Sequence, residues 1–304
     1  MRYRELKCNL SKEIAEDFTN FLDILQTEGY YEILFDSYQP KKENEGILRE
    51  NTTINVYLSE NDLEKELKIY IFLKTQGKDF FIESRIVETK EFEEAYKEFY
   101  KPFVIGKKFV VIPTWEKDSQ QAKNLLETFP NSLPLYMNPG LAFGTGHHET
   151  TQLMLSQMTK ILKPNMKVLD IGTGSGILSI GAALLEASFI LAIDIDPNAI
   201  KATQYNWSEN HFSNKINFLL KEGSFDHPEI YKYNYDLVLA NITYAVISQN
   251  IKQIAEISSK IFLFSGIILE KKQEFLELLS KHIEGELSYF DELNEWIILE
   301  WKRK

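Results

Sequence analysis

The chain has 304 residues, 44% of them hydrophobic and 26% charged, and a formal net charge of −11 at pH 7. A single core rarely grows this large, so we expect two domains, and the composition excludes a disordered chain. The negative charge would repel a phosphate backbone, so we expect no direct sequence-specific binding to nucleic acid. It favours a basic protein partner instead.

The N-terminal residues carry no apolar segment of the kind found in signal peptides. The most apolar stretch, Ile177 to Ile193, is interrupted by Glu186 and is shorter than the roughly 20 residues that a membrane-spanning helix needs. A single cysteine, Cys8, leaves no internal disulfide and no cysteine zinc cluster, and it suits a reducing compartment. We therefore expect a cytoplasmic protein that has no membrane-spanning part.

Residues 1–90 predict a small α+β domain. A helix is predicted from Lys12 to Glu28, and the alternating segments YYEILFDSY (30–38) and ELKIYIFLKT (66–75) are typical of strands in an antiparallel sheet. Residues 91–120 predict a linker made of a helix, EFEEAYKEFY, and a strand within KPFVIGKKFVVIPTW.

Residues 121–304 predict a doubly wound α/β domain. From about Leu153, helix and strand patterns alternate, which is typical of a parallel sheet with helices on both faces. The predicted helices cover 153–162, 177–186, 198–210, 244–258 and 271–282, and the predicted strands cover 167–171, 189–194, 216–220, 235–240 and 260–267. The closing segment GELSYFDELNEWIILEW predicts an antiparallel hairpin at the end of the sheet.

Two adjacent histidines and a glutamate, His147 to Glu149, follow a G-T-G turn in NPGLAFGTGHHETT (138–151). Neighbouring side chains in a turn diverge and no further ligand of fitting spacing lies nearby, so we expect no metal site. An acid/base role is chemically possible, because histidine titrates near neutrality. We favour a third interpretation, in which residues 140–146 form a flexible loop over a cofactor. A helix that begins at 149–151 would then offer threonine hydroxyls and N-terminal amides to a carboxylate.

The segment KVLDIGTGSGILSIGAAL (167–184) predicts a strand, a glycine turn and a helix. Such a turn lets a ligand touch backbone N–H groups, although it can also serve only close helix–strand packing. The spacing of Gly172, Gly174 and Gly176 is G-x-G-x-G, not the G-x-G-x-x-G of dinucleotide sites. Asp170 would repel a pyrophosphate and favour an amino group. S-Adenosylmethionine fits this demand, because it carries an ammonium and a sulfonium and no phosphate.

A second carboxylate follows the next predicted strand. In AIDIDP, Asp194 lies 22 residues after Gly172, where it can accept hydrogen bonds from the ribose hydroxyls of that cofactor. Asp196 is predicted to be the N-cap of the helix that Pro197 opens.

The segment YDLVLANITY leaves Asn241 at the carboxyl end of a strand, where open α/β sheets bind their ligands. Its side-chain oxygen can accept a hydrogen bond from an amine and so orient the nitrogen lone pair toward a methyl sulfonium. With Tyr244 it forms N-x-x-Y, which is similar in spacing to the N-P-P-Y of amine-nitrogen methyltransferases but lacks both prolines. The alternative is that Asn241 only caps the following helix.

Five segments together resemble the bacterial ribosomal protein L11 methyltransferases across about Glu91 to Trp301; they are NPGLAFGTGHHETTQLML, VLDIGTGSGILSIGAA, AIDIDPNAI, LVLANI and EWIILEW. The resemblance implies an N-terminal substrate-recognition domain, a linker and an S-adenosylmethionine-dependent catalytic domain, which leaves S-adenosylhomocysteine as product. The implied reaction is methylation of lysine ε-amino groups and the N-terminal α-amino group of ribosomal protein L11, free or on the ribosome. Carried over by motif, Thr151, Gly172, Asp194 and Asn241 are the expected cofactor contacts.

Two other functions stay open at this point. The N-x-x-Y spacing permits methylation of another protein amine or amide, or of a nucleobase amine. This chain also has Thr243 and Tyr244 where many members of the family have small residues. The non-enzyme alternative is a ribosome-binding module with a degenerate methyltransferase fold, which the intact glycines and carboxylates disfavour.

Overall fold

The computed structural model describes residues 2–25, 27, 29–32, 51–88, 97, 100–138, 144–212 and 216–304. The chain divides into two compact units, Met1–Phe99 and Tyr100–Lys304. Most of the linker helix predicted over 91–100 and most of the strand predicted over 30–38 lie outside the described residues. None of the described helices is long and apolar enough to cross a membrane.

The first unit combines an antiparallel sheet with helices. Its strands are β1 (Arg2–Ser11), β2 (Gly29–Glu32), β3 (Asn51–Ser59) and β4 (Phe80–Glu88), in the order β2-β3-β1-β4. A 3-10 turn at Lys12–Ile14 leads into α1 (Ala15–Leu25), and α2 (Leu63–Thr75) connects β3 to β4. Leu6 and Cys8 alternate along β1 and share one core with Phe18 and Leu22, which lie one turn apart on α1.

The segment at 66–75, predicted as a strand, is part of helix α2, so that prediction was wrong. Its apolar residues alternate in sequence, but Ile69 and Leu73 are buried whereas Leu67 and Ile71 are 57% and 51% exposed. This is the spacing of one helix face, not of one face of a strand. A helix start is indicated just before this segment, at the N-cap Asp62. Its Oδ1 accepts the backbone N–H of Lys65 at 3.1 Å.

The second unit contains a small sheet that the sequence analysis did not predict. Strands β5 (Phe103–Ile105) and β6 (Phe109–Pro113) form a hairpin, and β7 (Leu133–Met137) pairs with β6 in parallel after helix α3 (Gln120–Thr128). The sequence analysis missed α3 because only one residue of this nine-residue helix, Ala122, is buried. Residues 100–120 of the expected linker segment belong to this unit.

A seven-stranded sheet forms the centre of the second unit. Its strands are β8 (Lys167–Ile171), β9 (Phe189–Asp194), β10 (Asn217–Glu222), β11 (Tyr235–Asn241), β12 (Ser259–Ile268), β13 (Gly285–Leu293) and β14 (Trp296–Arg303). They lie in the order β10-β9-β8-β11-β12-β14-β13, with the first five parallel and the last two antiparallel. The predicted Rossmann-like sheet with a C-terminal antiparallel hairpin is therefore confirmed.

Helices lie on both faces of this sheet. They are α4 (Glu149–Ile161), α5 (Ile177–Leu184), α6 (Pro197–Glu209), α7 (Tyr244–Gln249), α8 (Ile251–Glu256) and α9 (Lys272–His282). The first three pack with the small sheet in one core, and the last three pack in the core of the opposite face. The helix predicted over 244–258 is interrupted at Asn250. This residue, with φ −109° and ψ 12°, is the C-cap of α7 and the N-cap of α8.

The strand order creates the crevice that the functional site needs. Strand β8 has β9 on one side and β11 on the other. The chain adds β9 and β10 on one side of β8 and then returns to add β11 and β12 on the other, so the strand order reverses at β8. Ligands of open α/β sheets bind at the carboxyl ends of the strands at such a switch point. Gly172 follows β8, and Asp194 and Asn241 are the last residues of β9 and β11.

We expect Ile69→Ala to lower the free energy of unfolding of the first unit by about 2–4 kcal/mol, because it opens a cavity under the buried face of α2. The matched control is Leu67→Ala, on the exposed face, which should change it by less than about 0.5 kcal/mol. Denaturant unfolding of the full chain, monitored by amide hydrogen exchange in β1 to β4, measures the change in free energy of unfolding for both variants. Equal losses would contradict the helical register.

Candidate functional site

Three glycines bend the chain between β8 and α5. Gly172, Gly174 and Gly176 have φ values of +72°, +55° and +84°, in the left-handed region that favours glycine. A Cβ atom on Gly172 would lie 2.4 Å from Cγ2 of Ile242, and one on Gly176 would lie 2.9 Å from Cγ2 of Thr203. The turn therefore needs glycine both for its backbone conformation and for close contact with its neighbours.

Four N–H groups of this turn, those of Gly172, Thr173, Gly174 and Gly176, are bonded within the protein. Those of Gly172 and Thr173 donate to the Ile193 carbonyl at 2.9 and 3.1 Å. The N–H of Gly174 donates to Asp194 Oδ2 at 2.8 Å. A ligand at this turn would therefore meet carbonyl groups more readily than the free N–H groups that the sequence analysis expected.

Two of the turn's carbonyl groups accept bonds from helix α6. Thr203 Oγ1 donates to the Gly174 carbonyl and Asn206 Nδ2 to the Ser175 carbonyl, each at 2.9 Å. The Gly172 carbonyl accepts no side-chain or loop hydrogen bond from any residue that the structure describes. A carbonyl oxygen of this kind is a suitable acceptor for a ligand ammonium.

Asp170 braces the same turn from within the protein and is 0% exposed. Its Oδ2 accepts the hydroxyl groups of Thr173 at 2.8 Å and Ser179 at 2.6 Å. Its Oδ1 is buried and has no partner within the described ranges. Burial raises the pKa of Asp170 to about 6, and the two hydroxyl bonds oppose that rise. The site thus keeps one unsatisfied acceptor directly behind the turn.

Asp194 is the second carboxylate of the site. Its Oδ2 accepts the Gly174 N–H and its Oδ1 accepts the Asp196 N–H at 3.0 Å. Because a carboxylate oxygen has two lone pairs and Asp194 is partly exposed, both oxygens can still accept ribose hydroxyls. Asp196 accepts the Asn198 N–H at 2.8 Å with Pro197 at the first helical position, so its prediction as the N-cap of α6 is confirmed.

Asn241 carries a buried acceptor without a donor. Its Nδ2 donates to Thr151 Oγ1 at 3.4 Å, whereas its Oδ1 has no partner among the described residues. The following helix begins at Tyr244 and its N-cap is Thr243, so the alternative that Asn241 caps this helix is wrong. Leaving a buried carbonyl unsatisfied costs about 1–3 kcal/mol, which a ligand N–H would recover.

Ile242 fixes the segment that carries Asn241. Its side chain lies on Gly172, and its backbone lies on Gly266, where a Cβ atom would come within 2.5 Å of the Ile242 carbonyl oxygen. Gly266 has a φ of +82° and lies where the register between β12 and β14 shifts. Bulges of this kind often aim a neighbouring residue at a site. Gly266 was not among the site residues predicted from the sequence.

His148 begins helix α4. Its Nδ1 accepts the Thr150 N–H at 3.3 Å, which confirms the predicted helix start at Glu149. Its ring packs edge-on against Trp296 with centroids 4.9 Å apart, and Asn294 Nδ2 donates to Glu149 Oε1 at 2.6 Å. The C-terminal hairpin therefore holds the start of the helix that carries Thr151.

His147 lies between aromatic rings. Its ring centroid is 4.0 Å from that of Phe103 and 5.1 Å from that of Tyr100. Burial lowers the pKa of His147 to about 4, which favours the neutral imidazole at pH 7. In the part of the chain that the structure covers, no three His, Cys, Asp or Glu side chains come together to hold a metal ion.

The segment before the histidines touches the glycine turn. Ser175 Oγ donates to the Gly144 carbonyl at 2.5 Å, and a Cβ atom on Gly146 would lie 3.1 Å from Cδ1 of Ile177. Residues 139–143 of the predicted loop lie outside the described residues. The described end of that segment thus lies at the rim of the crevice.

Thr203 and Asn206 are site residues that the sequence analysis missed. Both are 0% exposed and share one face of α6 with Ala199, at spacings of four and three residues. A polar residue at a core position of an amphipathic helix usually has a specific partner. That pattern could have identified both residues before the structure was known.

The side chains and carbonyls at this edge fit a cationic nucleoside. Asp194 offers acceptors for a ribose diol and the Gly172 carbonyl offers an acceptor for an ammonium, with the carboxyl group of Asp170 buried behind the turn. The first turn of α4, with the hydroxyl of Thr151, offers donors for a carboxylate. Asn241 adds an acceptor for a second, amine-bearing ligand.

Comparisons with known proteins agree over most of the chain. The family model described as ribosomal protein L11 methyltransferase (PrmA) matches residues 2–304. The ribosomal protein L11 methyltransferase of Leptospira interrogans strain Fiocruz L1-130 is 53% identical over 306 residues, which is 100% of both chains. That of Ruminiclostridium cellulolyticum is 34% identical and covers 84% of this chain and 80% of its own. The crystal structure of a ribosomal protein L11 methylase from Lactobacillus delbrueckii subsp. bulgaricus has a TM-score of 0.58 and 28% identity, covering 67% of this chain and 100% of its own.

The raised pKa of Asp170 predicts a pH-dependent stability. Its carboxyl group, with a pKa of about 6 when folded against an ordinary value of 3.8, holds its proton more tightly in the folded state. The stabilisation is therefore complete below the ordinary value and is lost as the pH rises through the folded value. Asp170→Asn cannot ionise, so it should remove up to about 3 kcal/mol of pH dependence.

Denaturant unfolding of the wild type and the Asp170→Asn variant, at pH values on both sides of about 5, measures this change. Asp196→Asn is the control, because it alters an exposed carboxylate of the same region. A wild-type slope in the Asp170→Asn variant would contradict the assignment.

Proposed function

The chain belongs to the family of ribosomal protein L11 methyltransferases, and we propose that it methylates its substrate at the carboxyl ends of β8, β9 and β11. The family supports a methyltransferase that acts on ribosomal protein L11. We infer that its methyl donor is S-adenosylmethionine and that its acceptors are lysine ε-amino groups and the N-terminal α-amino group of that protein. The observation that carries the proposed position of the reaction is the buried, unpartnered Oδ1 of Asn241 beside the glycine turn.

The proposed cofactor contacts follow the acceptors and donors of the crevice. Asp194 would bind the ribose hydroxyls, and Asp170 with the Gly172 carbonyl would favour the ammonium. The hydroxyl group of Thr151 would donate a hydrogen bond to the carboxylate of the cofactor, since its oxygen already accepts a hydrogen bond from Asn241 Nδ2. The remaining glycines of the motif, Gly174 and Gly176, would shape the turn. When bound, S-adenosylmethionine supplies a methyl group on a positively charged sulfur.

Asn241 would hold the acceptor amine. Its Oδ1 can accept one N–H and so direct the nitrogen lone pair, while its Nδ2 remains on Thr151. Lysine has a pKa of about 10.4 in water, so a buried site must favour the uncharged amine by excluding water. Little acid/base chemistry is needed during transfer, and orientation supplies much of the acceleration.

The partner and the organisation of the chain complete the proposal. A net charge of −11 attracts a basic ribosomal protein, whether free or on the ribosome. We propose residues 1–90 as the substrate-recognition domain, 91–120 as a linker whose residues 100–120 fold with the second unit, and 121–304 as the catalytic domain. The expected compartment is the cytoplasm, and the expected product of the cofactor is S-adenosylhomocysteine.

Asn241→Ala should lower kcat by about 100-fold or more, because it removes orientation, and change cofactor Kd by less than about threefold. Asp194→Ala should instead weaken cofactor binding by about tenfold or more. Asp196→Ala, the matched control, loses only the N-cap of α6 and should cost about 1 kcal/mol of stability. Steady-state kinetics and titration calorimetry separate these effects. Equal losses of turnover and affinity for Asn241→Ala would show that this residue serves the cofactor.

Incubation with labelled S-adenosylmethionine and separated ribosomal proteins and ribosomal RNA tests the acceptor. We expect label on ribosomal protein L11 alone, at amino groups that mass spectrometry locates. Label on RNA or on another protein would support the alternative acceptors. A chain that binds no cofactor and transfers no label would instead be a ribosome-binding module.

A further inference from the structure

We propose that Asn206 is a positioning residue of the cofactor site. It is 0% exposed and lies in the last turn of α6, the helix that follows Asp194. Its carboxamide joins the glycine turn to the segment that follows β7. This inference rests on the function proposed above, because its readout is affinity for S-adenosylmethionine.

The Asn206 carboxamide uses both of its ends. Its Oδ1 accepts the Asn138 N–H at 2.7 Å, and its Nδ2 donates to the Ser175 carbonyl at 2.9 Å and to the Asn138 carbonyl at 3.4 Å. Asn138 directly follows β7, and Ser175 lies between two glycines of the turn. One buried side chain therefore holds two backbone segments that are far apart in sequence.

Asn210, four residues further on and the C-cap of α6, makes a similar contact. Its Oδ1 accepts the Tyr136 N–H at 3.0 Å and its Nδ2 donates to the Tyr136 carbonyl at 2.7 Å. Strand β7 is an edge strand, and backbone groups of residues 136 and 138 point to the same side. The two asparagines thus take the place of a neighbouring strand along the free edge of β7.

Asn206 and Asn210 differ in the additional hydrogen bond that each side chain donates. The further bond of Asn210 is to the Asn206 carbonyl, within its own helix, whereas Asn206 reaches the Ser175 carbonyl. Ser175 in turn donates its hydroxyl to the Gly144 carbonyl. Asn206 therefore belongs to a chain of bonds that ties the described segments on both sides of residues 139–143 to the glycine turn.

Loss of this carboxamide would leave the Ser175 carbonyl and the Asn138 N–H unsatisfied inside the protein. The turn would have to move to find other partners, and its bond from the Gly174 N–H to Asp194 would move with it. A site that must be reordered on binding has a lower affinity. Turnover at saturating cofactor should change less, because Ile242 contacts the turn at Gly172, before the Ser175 carbonyl that Asn206 holds, and Thr151 and Gly266 also hold the Asn241 segment.

The test compares Asn206→Ala with Asn210→Ala by calorimetric titration with S-adenosylmethionine and by thermal unfolding. Asn206→Ala removes a two-point contact with Asn138, directly after β7, and Asn210→Ala removes one with Tyr136 in β7, so both should lower the Tm. Asn206→Ala should raise the cofactor Kd by about tenfold or more, with kcat at saturation within about threefold, whereas Asn210→Ala should raise Kd by less than about twofold. Equal Kd changes in the two variants, or none in Asn206→Ala, would overturn the inference.

A second pair, Asn206→Asp and Asn210→Asp, keeps side-chain size in case the alanine variants do not fold. In Asn206→Asp a carboxylate oxygen replaces the donor to the Ser175 carbonyl, so Kd should again rise by about tenfold, against less than about threefold for Asn210→Asp. If the wild type binds cofactor and Asn206→Asp binds it equally well, the inference alone fails. If the wild type binds no cofactor, the proposed function fails as well.

Discussion

The hydrogen bond from the Gly174 N–H to the Asp194 carboxylate is the interaction on which the site depends. It joins the turn after β8 to the end of β9, and it exists only because the three glycines of the turn adopt positive φ values. The same carboxylate is the proposed ribose acceptor. The bend and the ribose contact therefore share one side chain, so the turn cannot shift without moving the acceptor for the ribose.

The turn also links the donor and acceptor sides of the reaction. Ile242 packs where Gly172 lacks a side chain, and Thr203 packs where Gly176 lacks one. Asn241 precedes Ile242 directly, so the group proposed to hold the amine is positioned against the turn proposed to hold the methyl donor. Because β8 and β11 are neighbours in the sheet, the distance between the glycine turn and Asn241 is set by strand pairing and not by a mobile loop.

Signals that are local in sequence predicted most of the catalytic unit. Buried strands, helix caps such as Asp196 and the glycine turn each depend on a few adjacent residues, and the structure contains all of them. Helix α2 was mistaken for a strand because its apolar residues alternate, and only the core shows which of them are buried. Gly266 and Asn206 were missed because their roles depend on partners distant in sequence, Ile242 and Ser175.

The position of β14 has a consequence for biosynthesis. This strand, Trp296–Arg303, lies between β12 and β13, and the hairpin that contains it contacts the start of α4 through Trp296 and Asn294. The free edge of β12 therefore stays unpaired until residues 296–303 have left the ribosomal exit tunnel. A nascent chain therefore cannot assemble the helix start at Glu149 in its final form before that strand has been translated and released.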